Sequence, residues 1–167
     1  IYRELGDEEG LKTYLGNQGN ILKEWGDLDG ALKLYKEQER ICRQRGDKEG
    51  LQISLGNQGL IFKTRANFEG AMRLYKEQEQ ICRALGNKKG LAACLGNQAN
   101  IHYLQGDLTG AMHLRKQEES FYREIGDKEG LQLSLGSRGN ILCMQGDLVS
   151  AMKLYKEQER ICWDLLD

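Results

Sequence analysis

Residues 6–20 read GDEEGLKTYLGNQGN, and the same stretch returns every 40 residues: GDKEGLQISLGNQGL at 46–60, GNKKGLAACLGNQAN at 86–100 and GDKEGLQLSLGSRGN at 126–140. A second stretch keeps the same period: ALKLYKEQERIC from Ala31, AMRLYKEQEQIC from Ala71, AMHLRKQEESFY from Ala111 and AMKLYKEQERIC from Ala151. Near-identical units in tandem exclude a doubly wound enzyme fold and a globule with one central core. Each unit must bury its apolar face against its neighbours, and such stacks make long binding surfaces.

The unit reads as two helices. From Glu8 to Trp25 the apolar residues Leu11, Leu15 and Leu22, with Gly19 between them, keep the spacing of one helix face. From Leu28 to Arg45 the residues Leu28, Ala31, Leu32, Tyr35 and Cys42 do the same. Gly26-Asp27 and Gly46-Asp47 break the pattern. Glycine suits the left-handed residue that ends a helix, and Asp or Asn suits the cap of the next. Turns this short join antiparallel neighbours, here helix A and helix B. All 21 glycines fall on six phases of the repeat, those of Gly6, Gly10, Gly16, Gly19, Gly26 and Gly30, so geometry requires them. Gly19, Gly59 and Gly139, with Ala99 in the third unit, predict a close approach of helix B. The small helix B residues Ala31, Ala71, Ala111 and Ala151 are the expected opposite face.

Gly19, Gly26-Asp27 and Ala31 fall in the register of the tetratricopeptide repeat (TPR) family, with Tyr35 at the family's aromatic place in helix B. The resemblance covers essentially the whole chain. Ala66-Asn67 departs from it in the second turn, and no unit has the proline that often closes helix B. The 40-residue unit is similar to the repeats of kinesin light chains and of the G-protein regulator that orients spindles, and to sensor arrays of some signalling NTPases. The resemblance implies an all-α, right-handed superhelical solenoid of antiparallel helix pairs. The expected organisation is one array over 1–167, with repeats at 6–45, 46–85, 86–125 and 126–165. IYREL at 1–5 matches the phase of ICRQR from Ile41, so it reads as the end of an upstream repeat in a longer protein.

Charge and cysteines narrow the partners. Net charge is −1 with both signs interspersed, so the basic footprint of a nucleic-acid binder is missing. No apolar run approaches the roughly 20 residues of a membrane span. The five cysteines, Cys42, Cys82, Cys94, Cys143 and Cys162, show no paired metal or redox spacing. They read as small core residues in a reducing, cytoplasmic setting, with no metal or cofactor expected. His102 takes the apolar phase of Leu22 and reads as a packed histidine; His113 reads as a surface residue. Lys33 before Glu37 and Glu39 before Arg43 read as a solvated, paired outer face. No nucleophile–base pair recurs, so no catalytic residue is assigned and no enzyme activity is expected.

In the family the inner wall is lined mainly by helix A. A stripe of Thr13, Asn17, Asn20 and Glu24 shares one face of it, apart from the Leu11/Leu15/Leu22 stripe. Asn17, Asn57 and Asn97 repeat at one phase, and Ser137 breaks the series. Asparagine is a poor helix former, so exposure alone does not explain its recurrence. Two readings stay open: the amides hold the backbone of a bound peptide, or they bond the neighbouring unit and keep the stack in register. Asn20, Asn100 and Asn140 share a second phase of the wall. Tyr103, Leu104, Cys143 and Met144 make its C-terminal half more apolar, which predicts an apolar anchor there.

The expected role is a protein-interaction scaffold that binds a peptide or helix of a partner on the helix A wall. The candidate residues are Asn17, Asn20, Asn57, Asn97, Asn100, Tyr103, Leu104, Asn140 and Met144. The alternatives are self-association, through exposed ends carrying Trp163, Leu165 and Leu166, and a regulatory sensor segment of a larger signalling NTPase.

Overall fold

A computed structural model of the chain describes residues 8–165. The expectations for residues 1–5, the Gly6-Asp7 turn and Leu166 lie outside them. The described residues form eight α-helices: α1 (Glu8–Glu24), α2 (Leu28–Arg45), α3 (Lys48–Thr64), α4 (Phe68–Leu85), α5 (Lys88–Leu104), α6 (Leu108–Ile125), α7 (Lys128–Met144) and α8 (Leu148–Asp164). They fall into two compact units. The first runs through Leu85 and the second starts at Gly86. Each unit holds two helical hairpins, and successive helices pack on each other within it.

The turns carry the fold, and they form as their residues dictate. Asp27, Asp47, Asn67, Asn87, Asp107, Asp127 and Asp147 each accept a hydrogen bond from the backbone N–H three residues on, at 2.8–3.0 Å. That satisfies one of the donors that every helix start leaves orphaned. The preceding glycines take the left-handed backbone, for example Gly26 at φ 84° and Gly106 at φ 81°. Ala66 takes it too, at φ 56°, where a Cβ is crowded.

Glycine at mid-helix has a different cause from the one expected. A Cβ on Gly19 would lie 2.5 Å from the Tyr35 ring, and Gly59 and Gly139 meet Tyr75 and Tyr155 in the same way. The space is cleared for a tyrosine ring of helix B, not for an opposing alanine. The third hairpin, which has Ala99 here, is the one whose tyrosine is replaced, by Arg115. Ala31, Ala71, Ala111 and Ala151 are buried in their own right, and Tyr35 and Tyr75 are fully buried beside them.

Ion pairs tie the hairpins of each unit together. In the first, Lys12 meets Asp47 at 2.5 Å, Arg43 meets Glu77 at 2.6 Å and Arg65 meets Asp29 at 2.6 Å. In the second, Lys89 meets Asp127 at 3.1 Å and Arg123 meets Glu157 at 2.7 Å. The helix B outer face is therefore more than solvated polarity. Glu39 pairs with Arg43 at 2.7 Å as the spacing predicts, and Gln38 beside it is buried. Among the described residues no helix is long and apolar enough to cross a membrane.

Candidate functional site

The helix A wall is the face the sequence singles out, and its residues do stay open to solvent. In the first unit Thr13, Asn17, Asn20 and Glu24 are exposed on α1; Asn57 and Leu60 are half-buried on α3, with Ile53 and Thr64 exposed. In the second unit Asn97, Asn100 and Tyr103 are half-buried and Leu104 exposed on α5; Ser137 is half-buried and Asn140 and Met144 exposed on α7.

The asparagines divide into two kinds. Asn20 accepts a hydrogen bond from the Tyr35 hydroxyl at 2.7 Å, Asn140 one from Tyr155 at 2.8 Å, and Asn100 one from the Arg115 guanidinium at 2.5 Å. These amides brace helix A against helix B of the same hairpin. The second hairpin has Leu60 at this place, and its Tyr75 hydroxyl is buried with no partner. The amides of Asn17, Asn57 and Asn97 carry no hydrogen bond to any described residue.

The register-keeping role falls to their neighbours. In the first unit Ser54 donates to the Tyr35 carbonyl at 2.7 Å, and Gln58 donates to the Glu39 carboxylate at 2.6 Å. Ser54 and Gln58 are both buried. In the second unit Ser134 donates to the Glu118 carboxylate at 3.0 Å, with the Arg115 carbonyl 3.4 Å away, and Arg138 pairs with Glu119. Buried polar groups must be matched in this way, because an unmatched one costs about 1–3 kcal/mol. The junction of each pair of hairpins is thus bonded without Asn57 or Ser137.

The C-terminal part of the wall holds a cavity of about 100 Å³ lined by Asn100, Tyr103, Arg115, Ser137, Asn140 and Ile141. The lining of this cleft mixes amide, hydroxyl and guanidinium groups with the apolar surface of side chains such as Tyr103 and Ile141. Of the four residues named for an apolar anchor, Tyr103 lines the cleft, while Leu104 and Met144, 57% and 60% exposed, and the exposed Cys143 stand on the wall outside its lining. Arg115 sits in its floor, with a side chain 10% exposed, and its Nη1 meets Glu118 at 2.7 Å. Sequence reasoning passed over Arg115. The signal was there, since arginine takes the place of Tyr35, Tyr75 and Tyr155 at an otherwise buried phase.

Other candidates resolve simply. Cys42, Cys82 and Cys94 are buried free thiols, and burial pushes Cys42 up to about 11, away from reactive thiolate. Cys162 is half-buried and Cys143 exposed, so the core reading does not extend to Cys143. His102 is half-buried and bonded through Nδ1 to the cap residue Asp107 at 2.8 Å. His113 is exposed. Among the described residues no cluster of His, Cys, Asp or Glu could hold a metal ion.

No protein-family model and no curated protein matches the chain. Solved structures do. BtubC (BKLC) from P. vanneervenii is similar with a TM-score of 0.84 at 19% identity, over 95% of this chain and 65% of that one. A Signal Transduction ATPase with Numerous Domains protein with a tetratricopeptide repeat sensor, from Pyrococcus horikoshii, is similar at 0.85 and 20%, over 98% of this chain and 25% of that one. The nearly identical TPR-like repeats of a Podosopora anserina protein described as a kinesin light chain are similar at 0.73 and 14%, over 89% and 74%. The chain therefore spans less than two thirds of the first two. It has the TPR-like fold of helix-pair solenoids, in agreement with the motif carried by Gly19, Gly26-Asp27 and Ala31.

Proposed function

We propose that the chain is a protein-interaction scaffold whose helix A walls hold an extended segment of a partner protein. Folds of this kind serve in general as interaction modules, since stacked helix pairs leave long surfaces of repeated side chains. One observation carries the reading here. The amides of Asn17, Asn57 and Asn97 are open and unbonded, while Ser54 and Gln58 or their equivalents already hold the hairpins together. An amide offers one donor and one acceptor face, which is what a peptide backbone needs from its support. Each such bond contributes about 0.5–1.5 kcal/mol, so side-chain pockets must add to them to reach useful affinity.

Panning a displayed peptide library against the chain supplies the probe. An enriched peptide that uses the first unit is expected to bind the Asn17→Ala/Asn57→Ala variant about 1–3 kcal/mol more weakly, with thermal unfolding unchanged. Equal affinity for the two proteins would remove the asparagines from the site.

A second reading, self-association, has its own observation. Leu148, Val149, Met152, Trp163 and Leu165 of the last hairpin are all exposed. At two of these places the other hairpins are polar: Val149 stands where Asp29, Glu69 and Thr109 do, and Trp163 where Arg43, Arg83 and Arg123 do. Light scattering is expected to show an oligomer that Val149→Asp/Trp163→Arg converts to monomer. A monomeric parent chain would end this reading.

A further inference from the structure

The cleft in the second unit has a donor pattern that specifies its occupant. A guanidinium only donates, so Asn100 must turn its oxygen to Arg115 and its NH2 away from it. Asn140 accepts from the Tyr155 hydroxyl, which turns its NH2 outward as well. Neither NH2 group bonds another described residue. Ser137 donates to the Leu133 carbonyl at 2.9 Å, so its lone pairs remain available. The Tyr103 hydroxyl, with no bond to a described residue, either donates or accepts. Donors are therefore concentrated around the Arg115 floor, and acceptors are supplied by hydroxyls.

Charge then selects among the groups that fit. Glu118 already neutralises Arg115 at 2.7 Å, and its Oε2 also accepts from Ser134 at 3.0 Å. An entering carboxylate would lose its hydration to meet a cation that is already paired, beside a buried carboxylate of like charge. An apolar side chain would leave the amide donors unsatisfied. A neutral group with one carbonyl and one NH2 meets both conditions, and a cavity of about 100 Å³ admits a side-chain head group.

We propose that this cleft binds a primary carboxamide, the side chain of a Gln or Asn in the segment held on the wall. The proposal rests on the peptide-binding reading above and adds the identity of one anchor. In the third hairpin Arg115 and Glu118 replace the tyrosine and glutamine found in the other three, and this exchange puts a guanidinium in the lining of the cleft.

The test uses the nitrogen-15-labelled chain and tripeptides blocked as secondary amides, Ac-Ala-Xaa-Ala-NHCH3, with Gln, Glu or Leu at the centre. The readout is the side-chain NH2 signals of Asn100 and Asn140, with those of Asn17 and Asn57 as the control in the other unit. The Gln peptide is expected to shift Asn100 and Asn140 with a Kd about fivefold or more below that of the Glu and Leu peptides. Ala99→Gly/Arg115→Tyr/Glu118→Gln, which installs the residues of the other hairpins together with the glycine that their tyrosine needs, is expected to abolish that preference. Asn140→Leu, at an exposed position, is expected to do the same. A Glu peptide that binds as tightly as the Gln peptide, or a preference that survives both variants, overturns the proposal. Shifts at Asn17 and Asn57 with none at Asn100 and Asn140 overturn the cleft and leave the wall reading standing. Silence at all four sinks both.

Discussion

The junction between the first two hairpins and the junction between the last two use the same positions with different chemistry. In the first unit Ser54 bonds the Tyr35 carbonyl and Gln58 bonds Glu39 across the junction, while Tyr35 itself bonds Asn20 within its hairpin. In the second unit Arg115 takes the tyrosine's place and bonds both Asn100 and Glu118. Ser134 bonds the Glu118 carboxylate where Ser54 bonds the Tyr35 carbonyl, and Arg138 replaces Gln58 opposite Glu119. The repeat backbone fixes where a polar link must lie, while the link itself can be a neutral hydrogen bond or a buried ion pair. In the ionic version a charged group, Arg115, lines a wall cavity.

The largest test of that contrast is to break the ion pair from one side. Arg115→Met leaves Glu118 buried without its cation and is expected to cost about 3–5 kcal/mol, read from the urea midpoint. Ala99→Gly/Arg115→Tyr/Glu118→Gln, which also clears the space that the ring needs, converts the junction to the chemistry of the first unit and should stay within about 1 kcal/mol of the parent. Equal losses in the two variants would mean that the two junctions are not interchangeable.

A smaller effect separates two tyrosines of the first unit. Burial pushes Tyr35 up to about 12, with the nearby Glu24 adding to it, but its hydroxyl has Asn20 as an acceptor. The Tyr75 hydroxyl is buried without one. Tyr35→Phe is expected to cost about 1 kcal/mol, and Tyr75→Phe to cost nothing or to stabilise slightly, because it removes an orphaned polar group. A larger loss for Tyr75→Phe in thermal melts would show that its hydroxyl finds a partner.

The smallest effect lies in the turns. Ala66 holds a left-handed backbone that glycine holds in the other described turns, so Ala66→Gly is expected to raise stability by about 0.5–1 kcal/mol. Gly106→Ala in the second unit should lower it by a similar amount. Calorimetry showing the same sign for both would contradict the backbone account.

Much of this architecture was legible in the chain. Short-range chemistry made it so: Gly-Asp turns, caps three residues from their donors and a helical apolar stripe are all local, and repetition copies them. The position of the wall asparagines was legible for the same reason. Other assignments needed neighbours that sequence spacing does not reveal. Gly19 is small because of the Tyr35 ring 16 positions on, and Asn20 is engaged by the same tyrosine while Asn17 is open. Glu39 has the spacing of a surface charge, and only the fold brings Gln58 of the next hairpin against it.

By itself the sequence determined that this chain folds as paired helices with one repeating open face, since period, capping and apolar spacing act within a few residues of each other. Tertiary structure alone decided which amides on that face are spent on internal bonds and which are free, and that a guanidinium floors a cleft beside the exposed Leu104 and Met144. Those outcomes depend on side chains from separate helices meeting in space, and partners brought together only by packing leave no local trace in the order of residues.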